Sequence, residues 1–329
     1  MIALGLLSGG LDSTLAVRIM LDQGIEVVAV KFTSPFCQCD SGGCSHAAKV
    51  AQAMGIKLIT KAKGQEFLDI VRSPPHGRGS GMNPCVDCRI FMLRKSVEIA
   101  EEVGASFIFT GEVLGQRPMS QLRRSMDLVE KESGLQGKLL RPLSAKLLPP
   151  TEAELKGWVD REALLRIEGR GRKEQIQLAA SKGINDYPCP AGGCLLTSKE
   201  FSARLIDHLQ YHPDSLTAED VALLKLGRHF RIEGQKSIIG RNERENMQLK
   251  GRSYMLPSLI EPMNIPGPVC LSQATDAVSL LVAAGIVARY SDHGGEKVQM
   301  RIRKGLFEEL LLVQPYGPEA LNDWRIGAD

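Results

Sequence analysis

The sequence predicts an α/β protein, with a parallel sheet wound by helices followed by a second, smaller α+β domain. Three observations carry that prediction. The first 110 residues alternate short apolar runs with helix-like stretches that end at glycines, the pattern of a sheet built from strand–helix–strand crossovers. The run Glu26–Phe32 is apolar and β-branched without a polar face, as expected of a strand covered on both sides. After Thr197 the chain changes to short strands, short helices and turns, which places the domains at 1–197 and 198–329. A chain of 329 residues is long enough for both to bury a core.

The elements follow in order. Ile2–Leu7 reads as a strand and Asp12–Gln23 as a helix stopped by Gly24. Glu26–Phe32 is the second strand, Ala47–Met54 a helix ending at Gly55, and Lys57–Thr60 a short strand. Residues 73–81 form a long loop rich in glycine and proline. Asp87–Val103 has helical periodicity up to Gly104, and Ser106–Thr110 is another strand. Past the Pro149-Pro150 break, Thr151–Ser181 reads as helices carrying the basic run Arg170-Gly171-Arg172-Lys173. Ligands of such sheets bind beyond the carboxyl ends of the strands, where Ser8–Ser13 and Thr110-Gly111 both fall.

Composition narrows the class. With 43% hydrophobic and 24% charged residues, this is ordinary globular material. No apolar run approaches the roughly 20 residues of a membrane helix, so no membrane partner is expected. Met1 leads into a strand without a basic leader, and a cytoplasmic location is expected. Between Lys225 and Arg252 eight basic residues face three acidic ones, which suits a phosphate-binding surface as well as a solvated face. Eight cysteines in a cytoplasmic chain point to metal or sulfur chemistry rather than to disulfides.

Ser8-Gly9-Gly10-Leu11-Asp12-Ser13 lies between the first strand and the first helix. A glycine turn there offers a helix N-terminus to an anion, and Ser8 and Ser13 add hydroxyl donors. No Gly-Lys-Ser/Thr follows, so this is not a Walker loop. The hexapeptide resembles the PP-loop of ATP pyrophosphatases, whose fold is the adenine nucleotide α-hydrolase type. The resemblance implies ATP bound at Ser8, Gly9, Gly10, Asp12 and Ser13, with Asp12 organising Mg²⁺. It also implies a second nucleotide turn at Thr110-Gly111, where Glu112 replaces a more usual His or Asp. Arg141, with Lys146 beyond it, resembles the later basic element that approaches the phosphates.

Cys85-Val86-Asp87-Cys88 sits where the long loop enters a helix, with Arg89, Arg94 and Lys95 following. A helix N-terminus and nearby cations are expected to lower a thiol's pKa. The stretch from Met82 to Cys88 also resembles the corresponding loop of tRNA-thiolating PP-loop enzymes. In that group such a CxxC, with a third cysteine, holds a [4Fe–4S] cluster. Here the third is Cys194 in Pro190-Ala191-Gly192-Gly193-Cys194, with Cys189 as the substitute. A persulfide carried by Cys88 or Cys194, and resolved by the other, is the cluster-free alternative. Cys37, Cys39, Cys44 and His46 carry the donor types of a Zn²⁺ site, but Cys-x-Cys spacing is unusual for zinc and a plain loop is the favoured reading. Failing a cluster, those thiols are the reserve for a persulfide relay.

Ile238-Ile239-Gly240-Arg241-Asn242, followed by Arg244, Asn246 and the later Pro266-Gly267-Pro268 turn, resembles the NFACT RNA-binding domain. By residue type Arg241, Asn242 and Arg244 would meet phosphates and base edges. Together the resemblances imply an ATP-dependent tRNA sulfurtransferase: adenylation of a uridine carbonyl, then replacement of its oxygen by sulfur. The implied partners are tRNA and a sulfur donor, either sulfide or a desulfurase persulfide, and a homodimer is left open. Other readings are a small-molecule substrate, or an RNA-binding module with a degenerate ATPase.

Overall fold

The computed structural model describes residues 1–37, 44–187 and 194–327, with the backbone only of residues 44 and 45. The chain divides into two compact units, Met1–Thr197 and Ser198–Asp329.

In the first unit β1 (Ile2–Leu6), α1 (Leu11–Asp22), β2 (Glu26–Thr33), α2 (Cys44–Ala53) and β3 (Lys57–Ala62) follow one another. Next come α3 (Gly64–Arg72), α4 (Cys85–Val103), β4 (Phe107–Thr110), α5 (Arg123–Ser133) and β5 (Leu139–Leu140). All five strands are parallel, in the order β3-β2-β1-β4-β5. The winding reverses between β1 and β4, so their carboxyl ends flank the crevice where such sheets take ligands. A crossover helix runs against the strands, which brings the first turns of α1 and α4 to that same edge.

Both faces of the sheet are covered. Ala3 and Leu7 pack with Leu11 and Leu15 of α1, whereas Leu4, Val28 and Val30 pack with Ile90 and Leu93 of α4 and Val129 of α5. That is why β2 lacks a polar face, and each fully buried leucine here contributes about 1.5–3 kcal/mol. Gly5 lies opposite Phe109, where a Cβ would stand 2.5 Å from the ring.

The stretch 151–181 is not continuously helical. It holds α6 (Glu152–Leu155), a 3-10 turn at Arg161–Ala163 and α7 (Lys173–Ser181), with Gly157 and Gly169 at positive φ between them. A capping box between Thr151 and Glu154 starts α6, and Gly157 helps end it.

The second unit is α+β. It comprises α8 (Lys199–Tyr211), α9 (Ala218–Leu224), β6 (Arg228–Ile232), β7 (Gln235–Ile239), α10 (Glu243–Lys250), β8 (Ser258–Pro262) and β9 (Cys270–Ser272). α11 (Ala277–Arg289), β10 (Val298–Lys304), β11 (Phe307–Val313) and β12 (Arg325–Ile326) complete it. Its seven strands pair antiparallel in the order β11-β10-β8-β9-β7-β6-β12. Leu280, Ala284 and Val287 of α11 pack with Phe230, Ile260 and Met300 of the sheet. Among the described residues no helix is long and apolar enough to cross a membrane.

Candidate active site

The loop from β1 to α1 is shaped by its glycines. Gly9 has φ +83°, and a Cβ there would stand 2.7 Å from the Ala47 nitrogen. The Ser8 and Ser13 hydroxyls lie 3.0 Å apart, and Ser13 and Thr14 donate to the Gly10 carbonyl at 2.9 and 3.0 Å. Gly10 caps α1 without a side chain. The first-turn N–H groups and the dipole's positive end are therefore available to an anion.

Asp12, one residue into α1, is only half used. Its Oδ2 accepts from Gln116 Nε2 and from Arg172 Nη2, each at 3.2 Å. Its Oδ1 is buried with no hydrogen-bond partner. Leaving such an oxygen unsatisfied costs about 1–3 kcal/mol. A hard, oxygen-seeking cation satisfies it, so Asp12 fits the Mg²⁺ that ATP chemistry implies.

A group of arginines surrounds this point. Arg172 pairs with Asp12 while its Nε stays buried and unpaired. Arg117 lies in electrostatic reach of Asp12, Cys85, Arg89 and Arg172; its pKa falls through desolvation and the neighbouring arginines. Arg117 thus brings positive charge toward both Asp12 and Cys85. Neither Arg117 nor the Asp12–Arg172 pair belongs to a motif, and 160 residues separate the latter two.

The residues at and after the end of β4 also carry scaffold pairings. Thr110 is buried and donates to Glu112 at 3.2 Å. A Cβ on Gly111 would stand 2.5 Å from the Asp12 carbonyl, so this glycine lets the strand end pass against α1. Arg141, expected near the phosphates, is 2% exposed and pairs with Glu112 and Glu130. Glu112 also takes Arg89 at 3.0 Å, and these cations hold its carboxyl below the usual range against the opposing effect of burial. Lys146 binds the Glu162 carbonyl and carboxylate.

Cys85 begins α4, after Pro84. Cys88 Sγ accepts from Lys63 Nζ at 2.9 Å. Met82 N–H donates to the Leu196 carbonyl at 2.8 Å, stitching the start of α4 to the segment that carries Cys194. Cys194 forms an isolated antiparallel bridge with Cys37, flanked by the Leu195 N–H to Phe36 carbonyl bond of 2.9 Å. Cys88 acts electrostatically on both Cys85 and Cys194, and Cys37 acts on Cys194. The structure therefore gathers Cys85, Cys88 and Cys194 in one neighbourhood and adds Cys37.

At Cys85 the thiol pKa rises instead of falling. Burial, then the charge of Cys88, raises Cys85 despite Arg117 and Arg89. Burial pushes Cys194 up to about 11. Among the described residues no three His, Cys, Asp or Glu side chains are gathered around one point as a single metal ion requires. A [4Fe–4S] cluster instead places each thiolate on a different iron, and three soft sulfur donors suit it chemically. Cys39, Cys189 and the Cys44 side chain lie outside the described residues. His46 faces Asp186 at 3.5 Å, and the Cys37 backbone pairs with Cys194 while its Sγ lies 3.5 Å from Ser34 Oγ.

In the second unit the motif around Gly240 is largely occupied with its own fold. Asn242 caps α10 by accepting from Glu245 N at 3.0 Å, and Arg241 pairs with Glu245 at 2.6 Å. Asn246 accepts from Val269 N at 3.0 Å, and a Cβ on Gly240 would collide with the Asn246 side chain. Arg244 is exposed, and half of the Arg241 side chain's surroundings remain open to solvent at 41% exposure.

These features meet known families on both units. Residues 2–146 match the family model described as thiamine biosynthesis protein (ThiI), and residues 227–325 that described as NFACT protein RNA binding domain. A probable tRNA sulfurtransferase of Methanosarcina mazei is 35% identical over 121 residues, 34% of this chain and 28% of that protein. The tRNA-specific 2-thiouridylase MnmA of Marinobacter nauticus is 24% identical over 257 residues, 71% of this chain and 61% of its own. The chain thus spans less than two thirds of either relative. The U34-tRNA thiolase NcsA of Methanococcus maripaludis, solved with its [4Fe–4S] cluster, aligns at 16% identity and TM-score 0.34, covering 68% of this chain and 71% of that one. The chain joins a unit resembling the tRNA-thiolating PP-loop group to one resembling the NFACT RNA-binding domain.

Proposed function

We propose that this protein is an ATP-dependent tRNA sulfurtransferase. The observation that carries the reading is the meeting, at one sheet edge, of an uncapped phosphate-type loop and a cluster of thiols, with Arg117 in electrostatic reach of both. Family matches to thiolating proteins support it. The first-turn N–H groups of α1 with Ser8 and Ser13 hold the departing pyrophosphate, and Asp12 holds Mg²⁺. A uridine carbonyl oxygen attacks the α-phosphate, which turns a poor leaving group into AMP. Arg117 and Arg172 offset the charge that builds on the phosphates. Sulfur then adds at the activated carbon and AMP leaves. The base must leave its stack to reach the site.

Cys85, Cys88 and Cys194 would hold the [4Fe–4S] cluster; when bound, its iron without a protein ligand supplies a site for sulfide. A persulfide route is the second reading, favoured by one observation: Cys194 faces another thiol, Cys37, across a strand bridge. The second unit supplies RNA affinity through its exposed basic residues. Incubating the protein with tRNA, ATP and sulfide, then analysing the digested nucleosides by mass, tests the reading. An ATP-dependent thionucleoside is expected. If none forms from any tRNA under anaerobic conditions, the reading fails.

A further inference from the structure

Cys37 is a thiol for which the sequence offered no settled role, and its partner in the fold is specific. Cys37 and Cys194 stand directly opposite each other in an antiparallel bridge. The flanking bond runs from Leu195 N–H to the Phe36 carbonyl, one residue to either side. That pattern marks a non-hydrogen-bonded pair, in which the two side chains point to the same face and the Cα atoms are about 4.5 Å apart. A disulfide needs Cα atoms about 4.4–6.8 Å apart, so the pair can close without moving the backbone.

The competing thiol is differently held. Cys88 is fixed by Lys63 at 2.9 Å and sits with Cys85 on the first turn of α4.

We propose that Cys37, not Cys88, is the resolving thiol for sulfur carried on Cys194. The proposal rests on the persulfide route, the second reading of this site, in which Cys194 holds no cluster. A persulfide donor first converts the Cys194 thiol to Cys194–S–SH. The Cys37 thiolate attacks the Cys194 Sγ, the bond between Sγ and the outer sulfur breaks, and hydrosulfide leaves with the bonding pair. A Cys37–Cys194 disulfide remains, and two equivalents of an external thiol reductant reset it. Two electrons enter the released sulfur and two leave the pair of thiols, so the step balances. Hydrosulfide is thereby set free beside Cys88, inside the thiol cluster.

The test needs no tRNA. Reduced full-length protein, without metal, is treated with inorganic polysulfide, quenched with an alkylating agent and mapped by peptide mass. A Cys37–Cys194 cross-link is expected, with about one sulfide released per cross-link. Cys37→Ser should keep the persulfide on Cys194 and release little sulfide, while Cys88→Ser should leave cross-link and release unchanged. A cross-link that maps to Cys88–Cys194 or Cys85–Cys88, or no cross-link at all, overturns the proposal; wild-type mapping alone decides this even if a variant misfolds. Cross-linking without any tRNA thiolation would instead remove the functional reading and leave the thiol pairing standing.

Discussion

Asp12 and Asn246 each sit just inside a helix that follows a glycine-bearing turn, yet the fold treats them in opposite ways. Asp12 keeps one buried oxygen without a partner, beside an arginine whose Nε is equally unpaired. Asn246 gives its oxygen to Val269 N–H, while Asn242 and Arg241 close on Glu245. A site meant for a ligand holds polar atoms in reserve, and a joint meant for the fold uses them up. Two motifs of similar prominence in the sequence thus divide into one with open polar atoms, which suits the proposed reaction site, and one whose polar atoms are paired beneath a basic outer face.

The contrast can be broken in several places. Removing the charge of Glu112 should have the largest effect on stability. Glu112→Gln leaves the buried Arg141 and the half-buried Arg89 with poorer partners, and should cost about 3 kcal/mol in urea unfolding. Because the folded protein holds this carboxyl below its usual pKa, its stabilisation is in place at neutral pH. It is lost as pH falls from the ordinary glutamate range through the lower folded value, and the variant should lack that acid limb.

Asp12→Ala should behave in the reverse way. AMP formation is expected to fall about a hundredfold or more, with only a small change in the unfolding midpoint, since loss of the Arg172 pair is offset by removal of an unsatisfied oxygen. A clear loss of stability with AMP formation retained would make Asp12 structural. Asn246→Ala should cost about 1–3 kcal/mol by orphaning the Val269 N–H, with AMP formation per folded molecule unchanged. Asn242→Ala should cost about 1 kcal/mol through the lost helix cap. Smallest of all, Arg244→Ala should leave stability alone and reduce the slope of RNA affinity against salt by about one phosphate contact.

Much of the first unit was legible because its signals are local. The β-branched run from Glu26 and the glycine stops at Gly24, Gly55 and Gly104 mark elements that the structure contains. So does the entry to α4, although the helix begins at Cys85 rather than Asp87. α3 was not anticipated, and residues 151–181 were over-read as helix because their glycine breaks carry no periodic signal. Arg141 and Thr110 resemble nucleotide contacts in the sequence; the structure adds a pairing of each with Glu112, across 29 residues for Arg141 and two for Thr110. Arg172, Arg117 and the Cys37–Cys194 bridge owe their positions to tertiary contacts across much of the chain, which no spacing in the sequence reports. The thiol pKa expectation failed for a related reason: helix dipole and flanking arginines are visible in sequence, but burial is not.

The most direct measurement counts AMP and thionucleoside in the same reaction of protein, tRNA, ATP and sulfide. Equal yields are predicted, with both lost in Asp12→Ala and in Cys194→Ser, because AMP leaves only when sulfur adds. Thionucleoside formed without AMP, or AMP formed at the same rate with tRNA left out, would contradict the coupling of the glycine loop to the thiols.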